Sequence, residues 1–249
     1  MKKLEIIPVM GIPEVKRGDD LTGLIRHSME KQRIAFEDSD VVVVKQKVVS
    51  KAEGRLVALA DVVPGRSAKL LGRRERKDPR LVELILRESV RVVRAAHGVI
   101  ITQTKQGFVC ANAGIDHSNV GPGLVALLPE DPDLSARRLR TALERWSGAR
   151  LAVIVTDTFG RPWRRGQTDV AIGCSGIEPL VSFAGRKDTF GYELRVTEPA
   201  VVDEIAGAAE LATGKLEGVP VAIVRGVTYR RGDSGAKSLV MPRRRDLFR

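Results

Sequence analysis

Aromatic residues make up only 4% of the 249-residue chain, so there is little material for stacking nucleic-acid bases. Cysteine occurs twice, as Cys110 and Cys174, which excludes a disulfide framework or a cysteine metal cluster and agrees with a reducing cytoplasm. Both lie in apolar stretches and read as inert core thiols. No apolar run approaches the roughly 20 residues that span a bilayer, so no membrane partner is expected. Glu5 and Pro8 interrupt the N-terminal stretch "MKKLEIIPVMGIPE", which therefore lacks the core of a signal peptide. A glycine-rich phosphate loop of the GxxxxGK[ST] type is absent, and no Ser-His-Asp or Cys-His spacing suggests a nucleophile.

Hydrophobic residues make up 43% and charged residues 29%, which suits a globular chain with a sizeable core. The formal net charge is +11, and that excess implies polyanionic company. Much of it sits in "GRRERK" (72–77), "GRPWRRG" (160–166) and "PRRR" (242–245). The first and third read as solvated surface. The second reads as a basic loop bounded by Gly160 and Gly166, with Trp163 as a packing anchor.

The hydrophobic pattern predicts a strand at "LEIIPVM" and a helix at "LTGLIRHSMEKQ" capped from Asp19 and Asp20. "DVVVVKQKVVSKAEGRLVAL" reads as one long strand, a kink near "SKAEG", and a second strand. "DPRLVELILRESVRVVRAA" reads as a helix capped by Asp78, with Pro79 at its first position, Leu81, Leu84, Ile85 and Val92 on one face, and His97 at its end. "GVIITQT" and "GFVCAN" suit a hairpin. "LSARRLRTALERWSG" is a helix stopped by Gly148. "ARLAVIVTDTFG" is a buried strand, "EPAVVDEIAGAAELATG" a helix and "VPVAIVRGV" a central strand. Paired strands mixed with strand–helix alternation point to an α+β (mixed α/β) fold, with residues 1–249 as a single unit or as two subdomains whose boundary the sequence does not mark.

Three hydrophobic strands deliver polar residues to their ends. "VCANAGIDHSNV" brings Asp116, His117 and Asn119; "VIVTDTFG" brings Thr156, Asp157 and Thr158; "VVVVKQKVVSKAEG" brings Lys45, Lys47, Ser50, Lys51 and Glu53. Asp116 and Asp157 suit a hard cation such as Mg²⁺ or Mn²⁺, which takes one or two carboxylates plus substrate phosphates. Each also suits a turn or a helix cap when taken alone. Arg161, Arg164 and Arg165 can fork onto phosphate or carboxylate groups, or form a solvated loop. His117 suits a supporting role beside Asp116, and His27 a helix surface.

Taken together, "GIPEVKRGDDL", "VVSKAEGR", "NAGIDHSNV", "LLPEDPDLSARRLR", "VIVTDTFGRPWRRG", "AIGCSGI", "GRKDTFGYEL", "DEIAGAAEL" and "GVPVAIVRG" resemble the coenzyme F420:L-glutamate ligases, also called coenzyme F420-0:γ-glutamyl ligases. The blocks follow the family's order over nearly the whole chain. The resemblance implies mostly antiparallel sheets, an intertwined homodimer, and GTP-dependent addition of L-glutamate to coenzyme F420-0 with extension of a γ-linked tail. It also implies Mg²⁺ or Mn²⁺, with K⁺ as a further cation. Family metal positions fall on Asp116, Asp157 and Thr158. Nucleotide positions fall on Gly11, Ile12, Pro13, Glu14, Gln46, Lys47, Lys51 and Asn119, and on Gly214, Lys215, Leu216, Glu217 and Gly218. Arg164 and Arg165 are candidates for recognising the anionic acceptor or the transferring phosphate. The nitroreductase-like C-terminal domain of some relatives is not expected in this chain. The alternatives are another nucleotide-dependent carboxylate–amine ligase and, on charge alone, a basic nucleic-acid-binding protein.

Overall fold

The structure, a computed structural model, describes residues 3–247. Lys2 of the N-terminal lysine pair and the last two residues of "PRRRDLFR" lie outside them.

The centre is a five-stranded sheet of β1 (Glu5–Pro8), β2 (Val41–Lys45), β8 (Ala152–Arg161), β9 (Arg164–Ser175) and β10 (Val221–Arg225), ordered β1-β10-β2-β8-β9. Only β2 and β8 run parallel; the other neighbours are antiparallel. The valine run of β2 is apolar at every position because both sheet faces are covered. Val42 and Val44 join Val153 and Val155 of β8 in one core, beneath α1 (Leu21–Gln32) and α5 (Pro132–Ser147). Val41 and Val43 join Ala152 and Ile154 in another, beneath α6 (Val201–Thr213). A third core packs α4 (Pro79–Arg87) against β5 (Val99–Thr104) and β7 (Leu124–Ala126), through Leu81, Val82, Ile85, Ile100 and Val125. Around it lie the small sheets β4-β5-β6 and β3-β7, where β3 is Leu56–Ala58, β4 Ser89–Ala96 and β6 Val109–Ala111. The class is α+β with mostly antiparallel sheets, as expected.

Local signals held where chemistry fixed the ends. The Asp78 carboxylate accepts from the Arg80 amide at 2.8 Å, with Pro79 following it. Gly148 ends α5 in the left-handed region. β5 and β6 form the expected hairpin, and β10 lies between β1 and β2. At α1, Asp20 holds the capping position without a side-chain bond, while Asp19 accepts from the Lys16 amide at 2.7 Å.

Three expectations need correction. The long strand after Asp40 ends at Lys45, and Gln46–Ala52 is a helix, α2. Gln46, Val49 and Ser50 lie on its buried face, and the Ser50 hydroxyl donates to the Gln46 amide oxygen at 2.8 Å. Burial of that face outweighs the strand preference of Val48 and Val49. The helix from Pro79 stops at Arg87, and "SVRVVRAA" is β4, where Val92 is 39% exposed. His97 therefore sits in the β4–β5 turn, with φ of 53°, and not at a helix end. Finally, "GRPWRRG" is the tip of the long β8–β9 hairpin, with Gly160 and Gly166 inside its strands, and not a loop bounded by those glycines. Trp163 is 80% exposed there, so it does not anchor the chain's own core.

Candidate active site

The parallel pairing of β2 with β8 sets Lys45 beside Thr156, so both strands end on the same edge. A cavity of about 690 Å³ opens there. Five segments line it. Ile12, Pro13 and Glu14 come from the loop after β1; Lys45, Gln46, Lys47 and Lys51 from the β2–α2 junction. Asp116, Ser118 and Asn119 come from the loop before β7, and Thr156, Asp157 and Thr158 from β8. Gly214, Lys215, Leu216 and Gly218 close it from the α6–β10 connection. Gly11 and Glu217 adjoin these segments without lining the cavity. The structure thus gathers residues more than 200 positions apart that had been singled out separately.

The loop before β7 is small for local reasons. A side chain at Gly114, where φ is 70°, would meet Leu128 at 2.8 Å. Asp116 is pinned by its backbone to Ala126, with amide–carbonyl bonds of 3.0 and 2.8 Å. Its carboxylate accepts from the Ser118 amide at 2.7 Å and pairs with Lys47 at 2.8 Å. Burial works to raise the Asp116 pKa, but the Lys47 and Ser118 hydrogen bonds hold it below the ordinary value.

Asp157 is in the opposite condition. Burial, reinforced by the Asp116 and Asp169 carboxylates, pushes its pKa up to about 7 against the Thr158 backbone hydrogen bond and the Lys47 charge. Two carboxylates and the Thr158 hydroxyl in a cavity, one of them short of positive charge, suit a hard divalent cation. Among the described residues no group of three or more His, Cys, Asp or Glu could hold a metal, so the remaining ligands would be water and phosphate oxygens.

Four ammonium groups share the cavity, and each has a partner. Lys47 pairs with Asp116 and also donates to the Ser118 hydroxyl at 2.7 Å. Lys51, 4% exposed, pairs with the exposed Glu14. Lys215 donates to the Thr158 hydroxyl and pairs with Glu210 at 2.9 Å. Lys45 pairs with Asp169, a buried carboxylate that the sequence reading missed. Its signal was a charged residue inside the apolar strand "TDVAIG".

Arg164 and Arg165 are not brought to the cavity of their own chain. Thr158 pairs with Asp169, which places the two arginines roughly 13–17 Å further along β9. Both are exposed, as are Arg243 to Arg245. Arg73, Arg74 and Arg76 sit at the exposed end of α3 (Arg66–Glu75). His27 and His117 are exposed, and His117 does not line the cavity. Burial raises the Cys110 thiol to about 12 and raises Cys174 as well, so neither is a nucleophile.

Residues 10–226 match the family described as F420-0:Gamma-glutamyl ligase. The chain belongs to that family. It is 43% identical to a coenzyme F420:L-glutamate ligase of Methanothermobacter thermautotrophicus over 99% of each chain. It is 45% identical to one of Methanopyrus kandleri, over 99% of this chain and 98% of the other. One of Methanocaldococcus jannaschii is 39% identical, over all of this chain and 98% of the other. Every cavity-lining residue, from Ile12 to Pro220, falls inside the part matching the γ-glutamyl ligase family, whereas Arg243 to Arg245 fall beyond it. No helix of the described residues is long and apolar enough to cross a membrane.

Proposed function

We propose that this chain ligates L-glutamate to coenzyme F420-0 and extends a γ-linked glutamate tail, using GTP. The observation that carries the proposal is one cavity holding Asp116 and Asp157 together with four lysines, in a chain of this family. Forming an amide from a carboxylate in water requires activation. The acceptor carboxylate takes the γ-phosphoryl group of GTP, and GDP leaves. The glutamate amine then attacks the acyl carbon, and phosphate leaves as the amide forms. Both steps concentrate negative charge, which fixed cations and oriented hydrogen-bond donors stabilise.

Asp116, Asp157 and Thr158 would hold Mg²⁺ or Mn²⁺, which when bound neutralises phosphate charge. Lys51 is buried on α2 and aimed into the cavity, so it is suited to a phosphate as a fixed point charge. Lys47 and Asn119 border the same space, and the segments Gly11 to Glu14 and Gly214 to Gly218 would flank the nucleotide, with Gly11 and Glu217 just outside the cavity lining. K⁺ is a candidate second cation. Arg164 and Arg165 are assigned to attracting the anionic acceptor, not to the bond-making steps. The proposal includes a cytoplasmic homodimer of single-unit chains, supported by exposed Trp163 at the β8–β9 tip and exposed Phe190 and Val196 between β9 and α6. A fully active monomer by light scattering would remove that part.

Mass spectrometry of coenzyme F420-0 incubated with L-glutamate, GTP and Mn²⁺ tests the reaction. Products heavier by successive glutamyl residues, with GDP and phosphate released, are expected. Absence of product with GTP, and its appearance with ATP, would reassign the nucleotide. Absence with both would remove the activity.

A further inference from the structure

Asp169 lies directly below the cavity floor at 1% exposure, opposite Thr158 in the β8–β9 register. One of its carboxylate oxygens accepts from the Thr158 hydroxyl at 2.7 Å. The other accepts from the Thr156 hydroxyl at 3.1 Å and from the Lys45 ammonium. Its backbone amide donates to Glu210 at 3.0 Å, which ties β9 to α6. Two strand hydroxyls and a lysine thus converge on this one carboxylate.

A hydroxyl has one proton. Thr158 commits that proton to Asp169, so its lone pairs face the cavity, where the Lys215 ammonium now donates to one of them. We infer that Asp169 is a positioning residue: it fixes the Thr158 hydroxyl as an acceptor toward a cation and clamps Lys45 at the end of β2. This rests on the proposed metal site and adds a residue that does not line the cavity. Metal ligands are commonly oriented in this way by a hydrogen-bond partner behind them.

Asparagine at this position separates the two duties. An amide has one acceptor oxygen and one donor nitrogen, but three donors converge here. The Lys45 charge draws the amide oxygen to itself, which turns the NH₂ toward Thr158. The threonine proton is then forced out into the cavity, facing the cation.

The test is a double-mutant cycle on Mn²⁺ affinity, measured by calorimetry without substrates. Asp169→Asn is expected to weaken Mn²⁺ by about tenfold or more. In a Thr158→Val background the same change should add less than about twofold, because the hydroxyl it controls is gone. In a Thr158→Ser background the full effect should return. Multiplicative effects in the valine background, or unchanged affinity in Asp169→Asn, would overturn the inference. Should Asp169→Asn fail to fold, Asp169→Leu with Lys45→Met removes both charges of the pair and leaves no acceptor for the Thr158 proton; measured against Lys45→Met, it should weaken Mn²⁺ by about tenfold, and unchanged affinity would overturn the inference. If neither variant folds, Asp169 is a structural anchor and the inference fails. A wild-type protein that binds no Mn²⁺ removes the metal site itself, a different outcome from additivity in the cycle.

Discussion

Strands β8 and β9 end in two places with opposite character. Where β8 leaves the core, Thr156, Asp157 and Thr158 stand opposite Asp169, and the ammonium groups nearby are each held by a carboxylate or a hydroxyl. At the hairpin tip, Arg161, Arg164 and Arg165 are exposed to solvent. The tip carries the denser run of charge in the sequence, yet the buried end carries the constrained geometry. Positive charge in water is screened within about 10 Å, whereas charge fixed among carboxylates in a cavity is screened much less. A run of arginines therefore marks a surface, and lysines separated along the chain but paired in space mark a site.

Substitutions at the two ends sharpen this contrast. Asp157→Asn should have the largest effect, a loss of turnover of about 100-fold or more, by analogy with removal of a group that stabilises transferring charge. Its thermal midpoint should not fall, because the native carboxyl is already disfavoured in its ionised form. Near-normal turnover at saturating Mn²⁺ would show that Asp157 does not serve the reaction.

The raised pKa of Asp157 gives a second expectation. Below about 7 its carboxyl holds a proton that a cation must displace; above about 7 it does not. Mn²⁺ affinity should therefore be flat above that pH and fall by about tenfold per unit as the pH drops below it, with one proton released per metal. An affinity that stays level from pH 8 to pH 5 would contradict the assignment.

Lys51→Ala comes next. Loss of a charge-assisted contact to phosphate costs about 1.5–3 kcal/mol, so GTP affinity should fall about 10- to 100-fold while the KM for glutamate stays put. The smallest effect is expected at the tip. Arg165→Ala should lower kcat/KM for coenzyme F420-0 by about threefold, within the range of an exposed charge contact, and Arg244→Ala should leave it unchanged. Equal effects would mean that overall charge, and not the hairpin, draws the acceptor in.

Much of this was legible locally. The runs "VVVV" and "AVIV" announce strands buried on both faces, and polar residues at their ends announce a site, so Asp116, Asp157 and Lys51 stood out. Boundaries were harder. Val48 and Val49 suit a strand, and burial of the face shared by Gln46 and Ser50 made a helix of them. "RESVRVVRAA" continues the apolar content of the preceding helix, and its alternation was hidden by that continuity. A charge inside the apolar stretch "TDVAIG" marks Asp169 as unusual, but its role was not legible because that role arises from register. It matters because β9 pairs Asp169 with Thr158 and β2 pairs Lys45 with Thr156, two long-range facts with no local signature.

The most direct test is GTP binding by calorimetry, with and without Mn²⁺, in the wild-type protein and in Asp157→Asn. One GTP per cavity, bound more tightly with Mn²⁺ and losing that gain in Asp157→Asn, is the expected result. GTP affinity that is the same in both proteins with and without Mn²⁺ would contradict a joint nucleotide and metal site at the ends of β2 and β8.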